Sequence, residues 1–320
     1  MHLEEKILKG DRAAIAKAIT LVESSREQDQ KKSRELISKL VMNPGHSVRV
    51  GFSGSPGVGK STFIESFGSF LVKKGYRLGI LAIDPSSQIT GGSILGDKTR
   101  MHEISKNENT FIRSTPSKGA LGGVSLGTRE AAIILDSAGY DFIFIETVGV
   151  GQSEIMAANL VDIFSLIVGP GSGDELQGIK KGITEYADII IINKNDGDLS
   201  LQASKTASDY KSALSYYSSN KDSLDKEVLL VSSLEQTGME DVTQSILNII
   251  EHNKNSTVFD ERRYKQLSYW IKEELRNRIH YKIESEIKKD SEFESMTKKI
   301  LNGEDTMHNI IDQFLEKVIK

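Results

Sequence analysis

The chain has 320 residues, of which 38% are hydrophobic and 27% charged, and its formal net charge is -4. That composition suits a globular protein with a sizeable core, and a charge so near balance argues against a nucleic-acid binder or a polybasic membrane anchor. There is no cysteine, which excludes disulfides, thiolate metal sites and cysteine nucleophiles. No basic stretch leads into an apolar one at the N-terminus, and no apolar run approaches the roughly 20 residues of a bilayer span, so a cytoplasmic protein is expected.

Residues 1–45 read as a helical extension. Ile7, Leu8, Ala13, Ile15, Ala18, Ile19 and Leu21 recur at helical spacings, as do Leu36, Ile37, Leu40 and Val41, and Asn43-Pro44-Gly45 then breaks the pattern. From Ser47 short apolar runs alternate with helical stretches. The runs are Val48–Phe52, Leu78–Ile83, Phe142–Ile145, Phe164–Val168, Ile189–Ile192 and Val228–Val231, with Thr110–Ile112 a weaker one. They are nearly continuous in Ile, Val, Leu and Phe, as strands buried on both faces are. Residues 46–252 are therefore expected to form an α/β domain, a mostly parallel sheet wrapped by helices. The segment 253–320 is helical again. Leu267, Ile271, Leu275, Ile279, Ile283 and Ile287 follow one another by fours among charges, a stripe that winds slowly around a helix. It fits either a helix packed on its own domain or an arm against a second subunit. Charge-rich Lys288–Glu292 is expected to break it before a last helix near Met307–Ile319.

Gly54-Ser55-Pro56-Gly57-Val58-Gly59-Lys60-Ser61 has the form G-x-x-x-x-G-K-[ST], directly after a strand and before a helix opening at Thr62. Glycines let the backbone curl so that its N–H groups face phosphate oxygens, and the helix N-terminus adds partial positive charge. Lys60 is placed to reach the outer phosphates, and the Ser61 hydroxyl to ligate magnesium. Asn193-Lys194-Asn195-Asp196 follows another strand and has the form N-K-x-D. An ionised carboxylate only accepts hydrogen bonds, so Asp196 matches the adjacent ring and amine donors of guanine, which adenine lacks. Lys194 can cover the base and Asn193 can tie the loops together. Ser232-Ser233-Leu234 stands where a backbone N–H could contact the guanine oxygen. GTP or GDP with Mg2+ is thus the expected ligand. Asp84, Asp97 and Glu146 follow strands or lie in loops beyond them, and are candidates for the magnesium shell. Glycines around Glu146 suit a loop that responds to the γ-phosphate, with Gln152 a candidate for orienting the attacking water.

The motifs together resemble the MeaB/ArgK/MMAA family of P-loop GTPases over nearly the full length. The resemblance is carried by Gly10-Asp11-Arg12 with Ala18–Ser24, by Asp84-Pro85-Ser86-Ser87, by Gly91–Met101, by Glu146–Glu154, by Gly169–Gly182, and by Arg262-Arg263 with Trp270. It implies a GTPase chaperone that loads and protects an adenosylcobalamin-dependent acyl-CoA mutase, chiefly methylmalonyl-CoA mutase. It further implies a homodimer joined through the C-terminal arm. Lys60, Asp97, Glu146 and Gln152 would serve hydrolysis, and Ser61, Asp84, Asp97 and Glu146 the metal. Ser55 departs from the family's small or apolar residue, and no proline stands near Gly303, where the arm's pattern would have one. A metal-insertion GTPase of the nickel type is the alternative, against which stand the missing cysteines and six scattered histidines. A kinase or transport ATPase is disfavoured by Asp196.

Overall fold

The computed structural model describes residues 2–24, 26–84, 101–116, 126–147, 153–171, 181–215, 226–289 and 293–319. Seven strands form one sheet: β1 (Val48–Ser53), β2 (Leu78–Asp84), β3 (Thr110–Pro116), β4 (Phe142–Glu146), β5 (Ile163–Val168), β6 (Ile189–Ile192) and β7 (Glu227–Leu230). Their order is β3-β2-β4-β1-β5-β6-β7 and every pairing is parallel. The helices are α1 (Leu3–Leu8), α2 (Arg12–Val22), α3 (Glu27–Val41), α4 (Lys60–Lys73), α5 (His102–Ser105), α6 (Leu126–Ser137), α7 (Ser153–Ala158), α8 (Lys181–Tyr186), α9 (Ser200–Ser215), α10 (Met239–Asn255), α11 (Val258–Lys289), α12 (Phe293–Leu301) and α13 (Met307–Ile319). The expected α/β class is what forms. No described helix is long and apolar enough to cross a membrane.

Central strands read as unbroken apolar runs because both of their faces are covered. On one face, alternate residues Val50, Phe52, Leu78, Ile80 and Phe144 meet Phe63 and Phe67 of α4 and Val242 and Ile246 of α10. Phe52, Phe144 and Phe67 pack ring on ring, with centroids 4.9 Å apart for Phe52–Phe144 and 5.5 Å for Phe67–Phe144. On the other face Gly79 leaves room for Leu135 of α6, whose Cδ1 lies 2.8 Å from where a Cβ would stand. The N-terminal helices cover α6 in turn: Ser33 of α3 donates to Glu130 at 3.3 Å, and Ser137 of α6 donates to the Leu40 carbonyl at 3.2 Å. Asp11 caps α2 by accepting from the Ala14 N–H at 2.8 Å, the usual service of an aspartate at that position.

β3 runs past the Thr110–Ile112 core to Pro116. Among the described residues it is an edge strand paired with β2 alone, so polar Arg113-Ser114-Thr115 and a closing proline are tolerated there.

The described residues divide into two compact units, 1–263 and 264–320. In the first, a charged cluster gathers where β1, β5 and β6 begin. Asp162, almost fully buried, accepts from Arg49 Nη2 at 2.8 Å and from Arg263 Nη2 at 2.9 Å. Arg262 pairs with Asp188 at 2.6 Å and also donates to the Asp162 carbonyl. Burial alone would push the Asp162 carboxyl up, but the Arg49 charge and hydrogen bonds, with Arg263, outweigh it and hold the group below the usual carboxylate range. The opening of α11 is thereby pinned to the roots of three strands. In the second unit Phe293 and Phe314 meet edge to face at 5.6 Å, which joins α12 to α13. Leu267, Ile271, Leu275 and Ile279 of α11 remain 49–55% exposed. α12 was not legible as a helix, because its Phe293, Met296 and Ile300 are few and separated by charge.

Replacing Asp162 by Asn leaves two guanidinium groups short of a counter-charge, and at neutral pH should cost about 3–5 kcal/mol of stability. A carboxyl whose folded pKa is lowered contributes its stability above its unfolded pKa of about 3.9 and loses it as pH falls through the folded value. The gap between Asp162→Asn and the parent in urea unfolding should therefore narrow below about pH 4.

Candidate functional site

Because all strands are parallel, their C-terminal ends share one edge of the sheet, where ligands of open α/β sheets gather. The phosphate loop leaves β1 after Ser53 and enters α4 at Lys60, as the sequence pattern requires. Gly54 lies flat on the neighbouring strand: a Cβ there would sit 2.2 Å from the Ile167 carbonyl oxygen of β5. Gly59, at φ +89°, turns the chain into α4 and faces the Asn193 amide, 2.7 Å from where its Cβ would stand. Lys60 Nζ donates to the carbonyls of Gly54 at 2.7 Å and Ser55 at 3.3 Å, so its ammonium lies over the loop. Lys194, itself at φ 62°, reaches the Gly57 carbonyl at 2.8 Å. Val58 is buried, while Pro56, Gly57 and Thr62 lie on the surface.

Ser61 Oγ donates to Glu146 Oε1 at 2.8 Å. Glu146 ends β4 opposite Phe52 of β1, and its neighbour Thr147 fixes the chain by donating its N–H to the Phe52 carbonyl at 3.0 Å. The backbone of Asp84 closes β2, two residues beyond Ala82, the register partner of Glu146. Its side chain is outside what the structure describes, and Asp97 and Gln152 lie outside the described residues.

The base loop follows β6. Asn193 is buried, and its Nδ2 donates to the carbonyls of Val58 at 3.0 Å and Gly59 at 3.5 Å. Its Oδ1 accepts from Ser233 Oγ at 2.7 Å and from the Ser233 N–H at 3.3 Å. One amide thus joins the phosphate loop, the base loop and the loop after β7. Asp196 Oδ2 accepts a short hydrogen bond from Ser232 Oγ, and Ser232 in turn accepts the Glu235 N–H at 3.0 Å. Ser232 is fully buried, so it fixes where the Asp196 carboxylate sits; Leu234 beside it is exposed.

The residues fit a magnesium nucleotide. A cation, a loop of glycines in left-handed conformation and the N-terminus of a 14-residue helix make an anion site. The Ser61 hydroxyl and Glu146 carboxylate bring two hard oxygens together, the donors magnesium takes. The carboxylate of Asp196 supplies acceptors for a base that presents paired donors. Among the described residues no cluster of three or more His, Asp or Glu forms a further metal site.

Two functional candidates escaped the sequence. Glu154 of α7 accepts from Ser53 Oγ at 3.0 Å. Serine at the close of a strand and glutamate 101 positions later have no spacing that links them.

Three comparisons bear on this site. The family described as "Methylmalonyl Co-A mutase-associated GTPase MeaB" matches residues 15–288. A putative GTPase of Caulobacter vibrioides is 47% identical over 277 residues, covering 87% of this chain and 85% of that protein. The mitochondrial "Methylmalonic aciduria type A homolog" of Mus musculus is 40% identical over 309 residues, covering 93% of this chain and 74% of its own. Among solved structures, a LAO/AO transport system kinase is similar across 99% of this chain and 97% of its own, at 30% identity and a TM-score of 0.74.

Asn193→Ala removes the buried amide's ties to the phosphate loop and to Ser233 and leaves the bond from Lys194 to the Gly57 carbonyl. It should weaken guanine-nucleotide binding roughly 10- to 100-fold in titration calorimetry, in line with the loss of one or two buried hydrogen bonds' worth of order.

Proposed function

The chain belongs to the MeaB family of methylmalonyl Co-A mutase-associated GTPases, and we propose on that footing that it is a magnesium-dependent GTPase switch serving an adenosylcobalamin-dependent acyl-CoA mutase. It binds guanine nucleotide and hydrolyses GTP, as a P-loop protein of this family. The observation that carries the proposal is the bonded frame in which Asn193 sets the base loop against the phosphate loop, with Asp196 held by Ser232.

In this reading Gly54–Thr62 enclose the phosphates, and Lys60 leaves the loop carbonyls to neutralise the outer two. Asp196 selects guanine, Lys194 covers it, and Ser232, Ser233 and Leu234 close the base pocket. Ser61, Glu146, Asp84 and Asp97 hold magnesium directly or through water. When bound, magnesium supplies neutralisation of the phosphate charge that builds up as the γ-phosphate leaves. Gln152 is the proposed orienter of water. Membership of a family associated with methylmalonyl-CoA mutase supports the mutase as partner and that enzyme as the first to test. The exposed leucine and isoleucine stripe of α11 supports a homodimer through residues 253–320, with 46–252 as the GTPase domain and 1–45 as its helical extension.

Purified chain mixed with such a mutase should form a complex that hydrolyses GTP at least about tenfold faster than the free chain, in the manner of GTPases completed by a partner. A chain that neither binds nor responds to acyl-CoA mutases sinks the partner assignment and leaves the GTPase intact. Ser61→Ala should lower the magnesium-dependent hydrolysis rate roughly 10²-fold.

A further inference from the structure

Among the described residues, Glu154 is a buried carboxylate to which neither the nucleotide roles nor the charged cluster at the strand roots gives a part. Glu154 lies in the first turn of α7, is 8% exposed, and accepts from Ser53 Oγ at 3.0 Å. Ser53 is fully buried and is the last residue of β1, next to Gly54 of the phosphate loop. Resting on the GTPase reading, we propose that Glu154 is a positioning residue for GTP hydrolysis: its bond to Ser53 fixes the opening of α7 against the root of the phosphate loop.

Burying a carboxylate is costly unless charge and hydrogen bonds compensate. Asp162, at the opposite edge of the sheet, has two guanidinium groups for that purpose. Among the described residues the partner of Glu154 is a neutral hydroxyl, and α7 has only six residues to lend it a dipole. A glutamine or an apolar side chain would serve stability at least as well, so the carboxylate's value lies in where it puts the chain.

Topology says where that is. Glu146 bonds to Ser61, Thr147 bonds to the Phe52 carbonyl, and Glu154 bonds to Ser53. All three ties land on one continuous element, β1 with its phosphate loop and α4. That element is the one that grips the phosphates. In GTPases the segment after the equivalent strand responds to the γ-phosphate. Thr147 and the opening of α7, the described residues on either side of that segment, are each fastened to the phosphate grip. Ground-state nucleotide binding has a separate support, because Asn193 joins the phosphate and base loops without Glu154. The Glu154 tie is therefore expected to act on the rate and not on affinity.

Ser53→Ala, Glu154→Ala and Glu154→Gln in the full chain test this, by single-turnover hydrolysis at saturating magnesium GTP, nucleotide affinity and thermal unfolding. Ser53→Ala and Glu154→Ala should slow hydrolysis about 10- to 100-fold while affinity for GTP and GDP stays within about threefold. Glu154→Gln keeps an acceptor oxygen for Ser53 and should restore the rate to within about fivefold of the parent. Should Glu154→Ala fail to fold, Ser53→Ala, which deletes a single hydroxyl, decides the matter. The proposal is overturned by a parental rate in Ser53→Ala, by rate and affinity falling together, or by Glu154→Gln being as slow as Glu154→Ala.

Discussion

β1 and β6 are not neighbours. β5 lies between them, so no ladder of backbone hydrogen bonds connects the loops that leave their ends. Beside Lys194, which reaches the Gly57 carbonyl, the side chain of Asn193 makes that connection, spanning from the base loop to the carbonyls of Val58 and Gly59. It can do so only because the phosphate loop lies down on β5: Gly54 passes so close to the Ile167 carbonyl that any Cβ would collide with it. A buried amide needs partners for both its ends, and here donor and acceptor are both used, the latter on Ser233. Phosphate recognition and base recognition therefore share one rigid joint.

The same three strands are also held at their opposite ends. Arg49, Asp162 and Asp188 stand where β1, β5 and β6 enter the sheet, and Arg262 and Arg263 draw the opening of α11 onto them. Desolvation opposes the charge of both Asp162 and Arg49, yet the carboxylate of Asp162 is held below its ordinary pKa and the Arg49 guanidinium above its own, each by the other's presence. Strands fixed at both ends give the loops at the far edge a firm base. The root of α11 and the nucleotide loops thus share a common scaffold.

Much of this could be read from the sequence because it is local or periodic. The strand cores emerged from runs such as Ile189–Ile192, whose burial on both faces leaves no alternation to decode. The phosphate and base motifs were legible because each is a short string that must follow a strand. Long-range pairs were not legible. Arg49 with Asp162, and Ser53 with Glu154, join common residue types across 113 and 101 positions, and only the folded sheet brings them together. The polar end of β3 was hidden for another reason: an edge strand needs less apolar surface, so its pattern is weaker. The stripe along α11 was visible in the spacing, but a spacing says that a face is apolar and not what meets it.

In the proposed reading, guanine selectivity follows from a carboxylate that a buried serine holds in place, beside the loops that Asn193 joins. Competition between nucleotides for that site is the most direct measurement. With magnesium present, GTP and GDP should each displace a fluorescent GDP analogue at concentrations at least about 10³-fold lower than ATP requires, since adenine would leave the carboxylate without its donors. Displacement by ATP at the same concentration as GTP would contradict the role given to Asp196 and, with it, the reading of the site as a guanine-nucleotide switch.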